Sequence, residues 1–317
     1  MISLISTVLN VAKNLEGLLF DIKNQTLKPE EVIVVDGGST DGTIEVLQGN
    51  VNLEVHQGVG RSEGRNIAIA KAKSEFIAVC DGGTRLEQTW LENITKPLTE
   101  DSSVDVVSGF FKPDVANFFQ KCLAAATIPI LDEIEEDKFL PSSRSIAFRK
   151  SAWAAVSGYP NWLPICEDLV FDIKLKNAGF KFKFEKDAVV SWRPHSSTTK
   201  FFKQYFLYAK GDGYAKLWLV RHIIRYIAYL TGILFTYLAL TDSFLWLLPF
   251  FAAQIGYFSK FYYRYLGHFP EEPEYSVIPA FSAISLLIVV GDIAKMIGYP
   301  IGVYERMSGK IKFEKWR

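Results

Sequence analysis

Within the first eighty residues, short apolar runs alternate with amphipathic stretches, and a chain patterned this way has few folds open to it. Ile2–Val8 reads as a strand beginning almost at residue 1. Asn10 stands where a helix cap belongs, ahead of Leu15, Leu18, Leu19 and Ile22 at helical spacing. Residues 32–35 form an unbroken β-branched run, the pattern of a parallel strand buried on both faces. A short helix capped by Asp41, a strand at 53–55, a helix at 67–72 and a strand at 76–80 continue the series. The β-α-β-α order predicts an α/β fold around a doubly wound, mainly parallel sheet, with ligands beyond the carboxyl ends of the strands. Asp36 and Asp81 both fall at such ends.

The pattern changes near residue 215. Residues 223–240 are apolar except for Arg225, 244–258 are apolar again after "TDS", and 277–298 are apolar around Asp292 and Lys295. This divides the chain into a domain at 1–215 and a membrane-associated helical region at 216–317. A span needs about 20 apolar residues, so the first two stretches read as a tight membrane hairpin over 223–258. A pair of buried helices in a soluble core is the alternative. Arg221 and Arg225 before the hairpin, and Lys260 and Arg264 after it, place both outer ends, and the first domain with them, in the cytoplasm. The third stretch reads better as an interfacial or re-entrant helix, with Asp292 and Lys295 one turn apart and able to pair.

Lysine plus arginine, 35, equals aspartate plus glutamate, 35, which argues against a general nucleic-acid binder. Three scattered cysteines suggest neither a zinc site nor a disulfide framework and fit a reducing compartment. The first residues lack the basic leader and cleavage site of a signal peptide.

Four stretches carry candidate chemistry. "VIVVDGGSTDGT" (32–43) ends a strand on Asp36, able to accept hydrogen bonds from a base or sugar or simply to hold its turn. "GVGRSEGRN" (58–66) has the wrong glycine spacing for a dinucleotide loop; Arg61 and Arg65 are phosphate contacts or solvated surface residues. "CDGGTR" (80–85) sets Asp81 in a turn, with Gly83 two residues on. "CEDLVFDIKLKNAGF" (166–180) opens a helix on Glu167 and Asp168, with Phe171, Leu175 and Ala178 on one face and Gly179 closing it.

Taken in order, "VVDGGSTDGT", "GRNIAIAKAKSEFIAVCDGG" and "CEDLVFDIKLKNAGF" resemble the family 2 glycosyltransferases of the GT-A fold over roughly residues 1–215. The resemblance implies that Asp36 helps hold a nucleotide base, that the motif starting at Asp81 holds the ribose and a divalent metal on the diphosphate, and that Asp168 is the general base. Thr7, Asn10, Arg61, Arg65 and Glu167 complete the candidate nucleotide-sugar set. The Q-x-x-R-W motif of several members is missing: "QYFLYAKGDG" supplies Gln204, Tyr208 and Lys210 only, which argues against a processive cellulose- or chitin-type synthase.

The larger departure is Gly83, where the family pattern puts a second carboxylate. The charge that develops on a nucleoside diphosphate as it leaves needs a cation. Either Mg²⁺ or Mn²⁺ is held by Asp81, the diphosphate and a distant ligand such as His195, or Arg85, Arg61, Arg65 or Lys210 supplies part of that charge. The expectation is an inverting, membrane-attached transferase moving a sugar from a nucleotide-sugar donor to a lipid-linked or surface-glycan acceptor. A catalytically silent sugar-nucleotide-binding subunit is the alternative. A nucleotidyltransferase would need a glycine-rich phosphate loop near the N-terminus, and "STVLNVAKNL" has no glycine.

Overall fold

The computed structural model describes residues 1–271 and 274–316. They form two compact units: residues 1–114 and 131–193 with the tail from 314, and residues 115–130 with 194–313.

The first unit is built on an eight-stranded sheet. Its strands are β1 (Ile2–Val8), β2 (Glu31–Asp36), β3 (Asn52–Val55), β4 (Phe76–Val79), β5 (Thr84–Leu86), β6 (Val106–Pro113), β7 (Ile146–Arg149) and β8 (Phe182–Trp192), in the order β3-β2-β1-β4-β7-β6-β8-β5. β3, β2, β1 and β4 are parallel, as the alternation predicts. β7 runs antiparallel to both β4 and β6, and β5 antiparallel to β8, so the sheet is mixed. The helices are α1 (Ala12–Lys23), α2 (Thr43–Leu47), α3 (Arg61–Lys71), α4 (Trp90–Glu100), α6 (Lys150–Ala155) and α7 (Glu167–Asn177). Successive strand residues point to opposite faces. Leu4, Val34 and Ala78 therefore pack with Leu15, Leu18 and Trp90 on one side. Ile5, Ile33, Val35, Ile77 and Val79 pack with Ala68, Ile69, Phe171 and Leu175 on the other. This two-sided burial is why residues 32–35 carry no polar alternation.

Three local expectations change. Helix α3 begins at Arg61 rather than 67, so the arginines of "GRSEGRN" lie on a helix and not in a loop. Asn10 does not cap α1. It sits at φ 53°, in the left-handed region that asparagine tolerates, and its Oδ1 accepts from the Thr40 amide at 2.9 Å. Asp41 serves both helix starts instead, accepting from the Thr43 amide at 3.1 Å and from the Ala12 amide at 3.2 Å. On α7, Phe171 and Leu175 are buried but Ala178 is exposed, because it already belongs to the turn that Gly179 closes at φ 86°.

The second unit is helical: α5 (Phe118–Thr127), α8 (Thr198–Ala215), α9 (Leu219–Thr241), α10 (Leu247–His268) and α11 (Glu274–Met307). The compositional boundary near 215 falls between α8 and α9, within this unit, because α8 packs along α11. The contact is unusually close. A Cβ on Gly298 would lie 2.2 Å from the Phe206 carbonyl oxygen, and one on Gly302 2.1 Å from that of Lys210. Two glycines four residues apart let the backbones touch. By length and apolar composition, α9 and residues 277–307 of α11 qualify as membrane spans among the described residues. α10 does not, since its second half carries Lys260, Arg264 and several tyrosines. The apolar window of α9 is wholly unburied within the structure, whereas 39% of that of α11 is buried.

Candidate functional site

Asp36 and Asp81 sit at the carboxyl ends of the parallel strands β2 and β4, on either side of β1, where loops are free of the sheet ladder. Asp36 ends β2 opposite Val8 of β1. It is fully buried, and both carboxylate oxygens hold its own turn: Oδ1 accepts from the Gly38 and Ser39 amides, each at 2.7 Å, and Oδ2 from the Ser39 hydroxyl at 2.6 Å. The same hydroxyl accepts from the Asn10 amide at 2.8 Å. Asp36 and Asn10 thus tie the ends of β1 and β2 into one rigid rim. Thr7 lies behind it, against Gly64 of α3, where a Cβ would come within 2.9 Å of the Thr7 methyl.

Asp81 follows β4, and what it meets is arginine. Arg65 is 2% exposed and forks between two acids: Nη2 donates to Asp81 Oδ1 at 3.0 Å, and Nη1 to Glu167 Oε1 at 2.8 Å. Its guanidinium carbon lies 5.3 Å from the Tyr159 ring centre. One planar cation therefore joins the end of β4 to the start of α7. Arg144 approaches from the β7 side, with Nε 3.9 Å from Asp81 Oδ2 and its plane over Trp192 at 4.6 Å. Burial would raise the Asp81 carboxyl, but Arg65, Arg144 and Arg61 outweigh it and hold the group below the usual carboxylate range.

Glu167 and Asp168 open α7 as predicted, after Cys166 turns the chain at φ 63°. Glu167 is 3% exposed, and burial together with the adjacent Asp168 pushes its carboxyl up despite Arg65. Asp168 is partly exposed, and its Oδ1 accepts from the Leu169 amide at 2.9 Å. One turn on, Asp172 is buried, and burial, then the Asp168 charge, raises its carboxyl well above the usual range. Asn66, next to Arg65, fastens α3 to the loop before α7 through the Tyr159 carbonyl at 2.8 Å and to α6 through the Trp153 indole at 2.9 Å.

The structure thus gathers Arg65, Asp81 and Glu167 into direct contact and sets Asp168 beside them. Arg61, exposed at the start of α3, lies within electrostatic reach of Asp81. Other expected cations are committed elsewhere. Arg85 is held by both oxygens of Asp21, at 2.6 and 2.7 Å, because β5 turns its side chain toward α1. Lys210 pairs with Glu305 at 2.9 Å inside the second unit. Arg144 stands in "PSSRSIAF" (141–148), a stretch whose sequence reads either as lining the acceptor side or as a plain loop into a strand. Its closeness to Asp81 depends on β7 pairing with β4, which no local pattern announces.

A divalent ion finds a sparse donor set. Among the described residues no three His, Cys, Asp or Glu side chains cluster, and His195 belongs to the second unit. Asp81, with a third of its side chain exposed, is the carboxylate on offer. The position of the missing acid has space, however: a Cβ on Gly83 meets only Asn14 Nδ2, at 4.0 Å, whereas one on Gly82 would strike Val8 Cγ1 at 2.7 Å. The residues fit a cation brought by a diphosphate, which supplies most of the oxygens, and not one held by protein alone.

A profile of the family described as Glycosyl transferase family 2 matches residues 3–155. A cholesterol galactosyltransferase of Borreliella burgdorferi is 31% identical over 116 residues, 35% of this chain and 32% of that protein. Glycosyltransferase AglE of Haloferax volcanii is 25% identical over 234 residues, 70% of this chain and 75% of that protein. The chain therefore spans about a third of the first relative and three quarters of the second. Among solved structures, the mannosyltransferase PcManGT from Pyrobaculum calidifontis, in complex with GDP-Man and Mn2+, is alike in fold. Its TM-score is 0.55 at 17% identity, with 98% of this chain and 87% of that one covered. The mixed sheet, the acids at its strand ends and these likenesses give the chain a GT-A-type fold, of which residues 3–155 match a Glycosyl transferase family 2 domain.

Proposed function

We propose that the protein is an inverting glycosyltransferase of the cell membrane, its catalytic domain cytoplasmic, which moves a sugar from a nucleotide-sugar donor to a lipid-linked or glycan acceptor. The observation that carries this reading is Arg65 joining Asp81 to Glu167, with the accessible Asp168 next in line. The rim of Asp36 and Asn10, with Thr7 behind it, receives the nucleoside, and Asp81, with Arg61 and Arg144 near it, the diphosphate end. Glu167, buried against Arg65, is placed to hold the sugar or the acceptor. Asp168 takes the proton of the acceptor hydroxyl as its oxygen attacks the anomeric carbon. The bond to the diphosphate breaks on the opposite face, which inverts the configuration. Bound with the donor, Mg²⁺ or Mn²⁺ would neutralise charge on the diphosphate, with Asp81 as its protein ligand.

The name of one relative, a cholesterol galactosyltransferase, supports a glycolipid product. The exposed apolar faces of α9 and of the first half of α10 support membrane attachment. The test is turnover of a panel of UDP-, GDP- and dTDP-sugars by the purified full chain. Asp168→Asn should lower transfer by about 10²–10⁴-fold while sparing donor binding, the usual worth of a general base. Activity within tenfold of the unaltered enzyme would remove Asp168 from the role. Donor binding without turnover by the unaltered chain would favour the silent-subunit reading.

A further inference from the structure

Beside Asp81, the Arg144 guanidinium rests on an aromatic ring. Trp192 ends β8, and the guanidinium carbon lies 4.6 Å from the centre of its ring. Phe111 of β6 approaches the same guanidinium at 5.9 Å. At the edge of the plane, Nη1 donates to the Ser142 hydroxyl at 3.1 Å. The contact with Asp81 is of another kind: Nε stands 3.9 Å from Oδ2, close enough for an ion pair and too far for a hydrogen bond. A guanidinium on a ring face is attracted by the ring's quadrupole and keeps its N–H donors in its own plane. Trp192 therefore bears on the direction in which Arg144 can donate.

The backbone of the same tryptophan bears on the acid. β5 runs antiparallel to β8 with Thr84 opposite Trp192. Thr84, 1% exposed, closes the turn that carries Asp81: its amide and its hydroxyl donate to the Asp81 carbonyl at 3.1 and 2.7 Å. The end of β8 thus registers the strand that closes the turn of Asp81, while its ring carries Arg144. Acid and cation at the diphosphate end share one support. Gly83 gives this arrangement its weight. A turn without its second carboxylate leaves more of the diphosphate charge to the cations of the protein. An arginine serves such a ligand well only when its planar fork meets the phosphate oxygens. Long side chains lose rotamer freedom on binding, and a side chain stacked in advance loses less.

We propose that Trp192 is a positioning residue of the donor site, its ring holding the Arg144 guanidinium beside Asp81 in the orientation that meets a phosphate oxygen of the nucleoside diphosphate. The inference deepens the proposed function and rests on its placing of the diphosphate at Asp81. Calorimetry on the full chain tests it. UDP, GDP and dTDP are each titrated in the presence of Mn²⁺, and the tightest of the three is carried through the variants. Arg144→Gln and Trp192→Leu should each weaken binding about tenfold. The double variant should also lose about tenfold and not about a hundredfold, because groups that act through one contact do not add. Trp192→Phe, which keeps a ring, should stay within about threefold of the unaltered chain. Arg144→Lys keeps the charge but has no plane to stack, and should lose nearly as much as Arg144→Gln. It carries the test if Trp192→Leu does not fold. Losses that multiply in the double variant would overturn the inference, as would full affinity in Trp192→Leu or in Arg144→Lys. A chain that binds none of the three diphosphates would overturn the proposed function as well. A chain that binds them and shows no coupling between Trp192 and Arg144 overturns the inference alone.

Discussion

Arg65 is the residue on which the site closes. Its two N–H groups reach acids 16 and 102 positions away, and its side chain and that of Glu167 are 2% and 4% exposed. Removing one partner of so buried a pair commonly costs about 3–5 kcal/mol, because the other charge is left in place without water. Arg65→Met should therefore lower the melting temperature and weaken donor binding together. The sign of its pH dependence follows from Glu167. Burial and Asp168 already raise that carboxyl, and loss of Arg65 raises it further. A carboxyl raised by folding contributes stability below its unfolded pKa and loses it as pH rises through the folded value. The variant's deficit should be larger at pH 8 than at pH 5 in thermal denaturation, and a deficit independent of pH would count against this electrostatic account. Gly83 poses the complementary question. With Asp81 the carboxylate on offer to a cation, Mn²⁺ should bind the free protein negligibly and bind clearly once a nucleoside diphosphate is present. Gly83→Asp, placed where a side chain has room, should strengthen that binding in calorimetry. Full activity in EDTA would instead give the metal's task to Arg65, Arg144 and Arg61.

At the scale of elements, α8 and α11 pack backbone to backbone. The Gly298 and Gly302 positions face the Phe206 and Lys210 carbonyls at distances no Cβ can occupy, and Gly213 on α8 faces the Tyr299 carbonyl, with 2.5 Å to an added Cβ. Backbone, unlike a flexible side chain, has nowhere to move. Gly298→Ala or Gly302→Ala should destabilise this helix pair by about 1–3 kcal/mol, the usual cost of overpacking. Gly232→Ala on α9, whose nearest neighbour would be a phenylalanine ring edge at 3.6 Å, should be neutral by the same denaturation measurement. The contact also bears on which helices enter a membrane. α11 has the composition of a span, yet its glycine face is committed to α8 and 39% of its apolar window is covered. α9 has no such cover.

For the whole molecule, topology follows. The proposed membrane attachment has the hairpin cross by α9 and return along α10, with α11 held against α8 and Arg221, Lys260 and Arg264 on the cytoplasmic side. Cysteines introduced at Thr241 and at Lys312 should then react from opposite sides of a sealed membrane. Labelling from one side alone would show either that α11 crosses or that the hairpin only dips into the lipid.

Much of this was written in local pattern. Residues 32–35 could only be a strand buried on both faces, and the runs on either side of it required the parallel half of the sheet. Asp36, Asp81 and the pair at 167 and 168 were placed at strand and helix ends by what precedes them, because period and turn chemistry are properties of short windows. The hydrophobic excess after residue 215 likewise declared itself. What only the tertiary structure decided is which charges meet. Arg61, Arg65, Arg85 and Lys210 looked alike as cations, and a sequence carries no measure of the distance from each to Asp81. Sheet order selected among them: β5 pairs with β8 and turns Arg85 to Asp21, while β7 pairs with β4 and brings Arg144 toward Asp81. α3, packed behind β1 and β2, drives Arg65 into the gap between β4 and α7. Coulombic partners are chosen by proximity in space, and proximity across more than a hundred residues exists only once the sheet has assembled.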